Sequence, residues 1–82
     1  MRSSRPDVRN PVLALPGARR IASLSPEARE ALAEIMADIG ADARARAQES
    51  WRKNKGPMAA YWKAVGAYAG HIRRALRGTA HG

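Results

Sequence analysis

The sequence has no cysteine and no phenylalanine, and its only histidines are His71 and His81. Without cysteine there is no disulfide to staple a small fold, and two histidines without thiols cannot complete a structural zinc site. No Gly-rich phosphate loop is present, and the carboxylates are strung along a helical face, not paired in an apolar setting. These absences argue against an enzyme and against any bound cofactor or metal. Nor is there a run of the ~18–20 apolar residues that crosses a bilayer. The short apolar patch from Val12 to Leu15 is bounded by Pro11 and Pro16, too short for a secretory signal. The expected location is cytoplasmic.

Acidic residues are also missing from one region. Residues 50–82 carry seven basic side chains and no acidic one, whereas residues 25–49 carry six acidic and three basic. Residues 1–24 add five arginines and one aspartate, and the whole chain has a net charge of +8. Such asymmetry speaks to partners and not to fold, and the partner it suggests is a polyanion.

Apolar residues make up 45% of the 82, but eighteen of them are alanine. Large apolar side chains are therefore few. Burial at ~25 cal/mol per Å² against ~1.5 kcal/mol of ordering entropy per residue comes out near zero for a scaffold of this size. A single helical domain completed by a second copy or by a partner is the natural solution.

Three segments follow from the pattern. Residues 1–24 contain Pro6, Pro11 and Pro16 among five arginines and read as an irregular basic arm, with one short helical turn over Gly17–Leu24. Val12, Leu13 and Leu15 could dock it, and Arg2, Arg5 and Arg9 would give it reach toward phosphate. Residues 25–78 read as a long antiparallel helical hairpin, with helices at about 26–53 and 57–77, and residues 79–82 as a tail.

The hairpin is marked by strong signals. Ser25-Pro26-Glu27 places a capping hydroxyl, a proline suited to the first turn and an acid at the positive end of the helix dipole. An apolar stripe then runs through Ala28, Leu32, Ile35, Met36, Ile39, Ala43, Ala47 and Trp51, in phase through Gly40. Asn54 to Gly56 ends this helix, and Pro57 opens the next. There the seam reads Met58, Trp62, Val65, Ala69, Ile72, Leu76. On this reading Trp51, Met58 and Trp62 close the hairpin core. Gly66 and Gly70, four apart, invite a second helix to approach closely, hence a homodimer. Glu30, Glu34, Asp38 and Asp42 form an acidic strip on another face, either solvated or a dock for a basic partner.

The candidate binding residues are Arg52, Lys53, Lys55, Lys63, Arg73, Arg74 and Arg77. A basic turn at a helix N-terminus suits phosphate, and neighbouring aromatics can stack on bases. The expected function is a small basic nucleic-acid-binding accessory or regulatory protein, acting through phosphate contacts with little sequence specificity. The competing expectation is a protein–protein interaction module, such as a phage or mobile-element factor docking on a host complex. The alanine-rich face of the second helix argues against membrane-surface binding.

Overall fold

The computed structural model describes residues 10–78, and every regular element among them is helical. In chain order these are a 3-10 turn at Pro11–Ala14, α1 (Ala18–Ile21), α2 (Pro26–Arg52) and α3 (Gly56–Gly78). α2 and α3 pack along each other as an antiparallel hairpin. Glu30 near the start of α2 reaches Arg77 at the end of α3, and the middles meet where Gly66 lies against Ala43.

The caps act as the sequence predicts. The Ser25 hydroxyl accepts a hydrogen bond from the Ala28 amide at 3.0 Å, with Pro26 and Glu27 in the first turn. α2 then runs unbroken through Gly40. It ends in a Schellman motif: the Lys55 amide donates to the Ser50 carbonyl at 2.8 Å and the Asn54 amide to that of Trp51 at 3.0 Å. Asn54 takes the left-handed conformation this requires, with φ 59°. The Ala59 amide donates to the Lys55 carbonyl, so α3 begins one residue before Pro57.

The packed faces differ from the expected stripes. In α2 the buried residues are Ala33, Gly40 and Ala43, and in α3 they include Ala59, Gly66, Ala69 and Leu76. The seam is therefore mostly alanine and glycine: Ala43, Ala69 and Leu76 lie in it as the stripes predict, whereas Leu32, Ile39, Met58 and Val65 stand one residue before its buried positions. A β-carbon on Gly66 would lie 3.6 Å from that of Ala43 and 3.7 Å from the Gly40 carbonyl oxygen, so the backbones approach closely. Close approach multiplies backbone contact along both helices, and it leaves no room for a large side chain where Gly40 and Ala43 meet Gly66.

Three expectations are corrected by this geometry. Trp51 is 71% exposed and Met58 46% exposed, so neither closes the core. Gly56, Ala59 and Ala60 of α3 line the same groove as Trp51, and none has a side chain large enough to cover an indole. Gly66 is committed to the seam within the chain and leaves no face for another helix, while Gly70 lies half-buried beneath the Arg74 guanidinium. Trp62 and Val65 are half-buried at the seam's edge.

The segment before the hairpin is also more ordered than an irregular arm. Asn10 is buried, accepts from the Val12 amide at 3.1 Å and donates to the His71 carbonyl at 2.8 Å. This side chain caps the turn opened by Pro11 and ties it to α3. Val12 is buried, Leu13 half-buried and Leu15 exposed. Ala75 of α3, outside the seam, is buried on the helix against which the turn packs. Arg2, Arg5 and Arg9 and the 79–82 tail lie outside the described residues.

Candidate nucleic-acid interface

Each residue that follows a seam position points to one side of the hairpin. Arg44 follows Ala43, Ala60 and Ala67 follow Ala59 and Gly66, and Lys63, three residues before Gly66, shares their side of α3. These residues line an open groove of about 880 Å³ at the tip half of the molecule. Its floor is Ala47, Ala59 and Gly66, its rim is Arg44, Gln48, Arg52 and Lys63, and Trp51 stands at its end. The floor is apolar because the seam is alanine and glycine. The rim is cationic because long basic side chains can stand beside a shallow floor with their heads in water.

Arg44 shows how the seam sets the rim. Its guanidinium lies 3.4 Å from where a Gly40 β-carbon would be, and its Cγ 3.7 Å from the same point on Gly66. The stem thus lies across the notch left by two glycines, pointing back one turn as helical side chains do. Arg74 repeats the arrangement over Gly70, four residues before it. Its guanidinium is also 3.0 Å from the His71 Nδ1. Gly-x-x-x-Arg in each helix is a signal the sequence carried, and the expected set of binding residues omits Arg44.

The seven expected cations do not form one patch. Arg52, Lys53, Lys55 and Lys63 cluster at the tip, whereas Arg73, Arg74 and Arg77 lie toward the open end. Lys63 and Arg74 share a side of α3 but are separated by eleven residues, about 16 Å along the axis. Only Arg52 and Lys63 of the seven line the groove. Several are engaged within the chain. Arg52 and Lys53 both bind Glu49, the latter at 3.1 Å. Their hydrogen bonds, Arg52 first, hold the Glu49 carboxyl below its ordinary range. Arg77 faces Glu30 at 3.7 Å, and Arg73 is half-buried. Lys55 and Lys63 have no ion pair among the described residues. Exposed pairs of this kind contribute little and exchange readily, so the paired cations stay available to a phosphate.

The acidic strip is divided as well. Asp42 pairs with Arg46 at 2.8 Å and Glu30 with Arg77. The aromatic residues split between the two sides of the hairpin. Arg46 lies over the Trp62 ring, 5.0 Å from its centroid, and Tyr61 meets the same ring edge-on. Trp51 alone serves the groove. Among the described residues no cluster of histidine and carboxylate is placed to hold a metal, and no helix is long and apolar enough to cross a membrane.

Compared with known protein families, characterised proteins and solved structures, the chain has no match.

Proposed function

We propose that this chain is a small nucleic-acid-binding accessory or regulatory protein, and that the groove on the Arg44 side is where it binds. The observation that carries this reading is Trp51. An indole 71% exposed, at the end of an apolar groove rimmed by Arg44, Arg52 and Lys63, offers a base a stacking platform while the rim meets phosphates. With cations to meet phosphate and an indole to stack on a base, recognition rests on charge and stacking.

The test is binding of a short oligonucleotide as a function of salt. The logarithm of the affinity should fall linearly with log salt, with a slope of about −0.7 per phosphate neutralised for a single strand and about −0.9 for a duplex. Arg44→Glu with Lys63→Glu should weaken binding at least ~30-fold at low salt while far-ultraviolet circular dichroism stays unchanged, since both side chains are exposed. A flat salt dependence, or a double variant that binds as well as the parent, would end this reading.

The second reading is a module that docks on another protein, and the observation in its favour is the exposed Leu32, Ile35 and Ile39 on α2. Capture from a lysate with and without nuclease separates the two: nuclease releases the partners of a nucleic-acid binder and leaves those of a protein-docking module.

A further inference from the structure

The residues that precede seam positions differ sharply from those that follow. Leu32 precedes Ala33, Ile39 precedes Gly40, Met58 precedes Ala59, Val65 precedes Gly66 and Tyr68 precedes Ala69. Stepping back one residue rotates by the same angle in both helices, and in an antiparallel pair that is the same side of the hairpin. Arg46 and Trp62 mark this side, and it lies away from the groove. On it Leu32, Ile35 and Ile39 are 37%, 50% and 39% exposed, and Met58, Tyr61 and Tyr68 are 46%, 56% and 54% exposed. Each helix thus bears two adjacent stripes, a seam of small residues and a flank of large ones. Two stripes on one helix are what a bundle of more than two helices needs.

We propose that this face pairs with the same face of a second copy, closing a four-helix bundle about a two-fold axis. Three observations select a second copy as the occupant. The first is charge. The chain is +8 overall, yet the face carries only Arg46, which Asp42 neutralises at 2.8 Å. Two strongly basic chains can meet there without opposing bare cations. The second is area. The six side chains expose roughly 500 Å² per chain, so a symmetric pairing covers about 1,000 Å² in all, the threshold of a specific interface. The third is need. The deepest-buried residues are Ala33, Ala43 and Ala75, and the largest buried apolar ones are Leu76 and Val12, so one chain leaves many large apolar side chains, these six among them, without full cover. An isologous pairing supplies that cover with no other molecule. The two grooves then face outward on opposite sides of the bundle.

Sedimentation equilibrium of the full chain, nuclease-treated and in high salt, tests the pairing. The mass should rise from 8.9 kDa toward twice that value with concentration, and more readily in high salt, where cationic repulsion is screened. Ile35→Glu with Tyr68→Glu should weaken association at least ~30-fold, as loss of a central interface contact does. Helix content should persist, because both positions are exposed in the single chain. Ala41→Glu, on the side of α2 that follows the seam, should leave the mass unchanged. If the double variant loses helix, Ile35→Ser alone, read the same way, decides the matter. A monomer at the highest concentration overturns the proposal and leaves the face to a different protein. So does a dimer that dissolves in high salt, or one that survives Ile35→Glu with Tyr68→Glu.

Discussion

The two sides of the hairpin are separated by a single residue step and have opposite chemistry. The side that precedes the seam carries Leu32, Ile39, Met58, Val65 and Tyr68, and the side that follows it carries Ala41, Arg44, Ala60, Lys63 and Ala67. The seam itself is alanine and glycine apart from Leu76 toward the open end. What separates the sides is therefore the closeness of the backbones. When two helices approach within reach of a glycine carbonyl, no large side chain fits between them, and each must emerge on one flank or the other. Here most of the large apolar ones emerge together, with Trp51 on the other side, and the small ones leave a shallow groove bordered by cations. The hydrophobic residues that would fill the core of a wider hairpin become an outer surface, and the groove inherits its apolar floor from the seam.

The largest expected effect comes from forcing the seam apart. Gly66→Leu places a side chain where a β-carbon already meets Ala43 and the Gly40 carbonyl at 3.6 and 3.7 Å. Overpacking of this kind costs about 1–3 kcal/mol, and more where backbones must separate. Gly66→Ala has a different sign. Its contacts lie at ordinary van der Waals distance, and the helix gains up to ~1 kcal/mol of propensity. Thermal unfolding of the two variants should move in opposite directions. If both destabilise alike, the seam is tighter than these distances imply, and if Leu is tolerated, the contrast between the two sides loses its cause.

Much of this fold was legible in the sequence, and the parts that were not have a common reason. Ser25-Pro26-Glu27 and Asn54 mark the ends of α2 through local hydrogen bonding, which depends on a few neighbouring residues. The hairpin follows from a turn too short to allow any other pairing. Face assignment is a different problem. Ranking positions by apolar size points to Leu32, Ile35 and Ile39, whereas backbone proximity selects Ala33 and Gly40 beside the Ala43 that both share. Leu32 and Ala33, like Ile39 and Gly40, are adjacent in sequence and about 100° apart on the helix. The same one-residue displacement turned Met58 outward. The groove could not be seen from either helix alone, because Arg44 and Lys63 meet only once α2 and α3 are registered. Arg44 also sits among acids in the sequence, where charge counting passes over it. Trp51 looked like core because it continues a stripe, but it is 71% exposed and shares its groove with the small Gly56, Ala59 and Ala60 of α3.

The two tryptophans allow a sharper comparison, with a smaller effect. Trp51→Ala should cost binding and not stability: stacking on an exposed aromatic is worth about 1–3 kcal/mol per base, a loss of roughly 5- to 150-fold. Trp62→Ala should show the reverse. Trp62 is half-buried beneath Arg46 on the other side, so its removal exposes the seam and lowers the melting temperature, with little direct effect on oligonucleotide affinity at temperatures where the chain is folded. Intrinsic fluorescence of each single-tryptophan chain provides a second measure, since an oligonucleotide should quench Trp51 and spare Trp62. Equal quenching of both would mean the ligand does not distinguish the two sides.

The smallest expected effect concerns the one acid beside the groove's tip. The Glu49 carboxyl is held below its ordinary value of 4.5, first by its hydrogen bond from Arg52 and then by that from Lys53. A lowered folded-state value means that this ion-paired form stabilises the fold above the ordinary carboxylate range and is lost as pH falls through the lower value. In the paired form, two cations near the groove are partly neutralised. Glu49→Gln removes the competitor, so affinity for an oligonucleotide at neutral pH and low salt should rise roughly two- to fivefold, in keeping with the modest strength of exposed ion pairs. The gain should vanish at high salt, because it is electrostatic. Lowering the pH through the carboxylate range should reproduce part of the gain in the parent chain and less of it in Glu49→Gln. Glu30 and Asp42, which pair with Arg77 and Arg46 away from the groove, provide the control. If Asp42→Asn raises affinity as much as Glu49→Gln does, net charge governs binding and the groove side has no special claim, whereas a rise confined to Glu49→Gln places the phosphate next to Arg52.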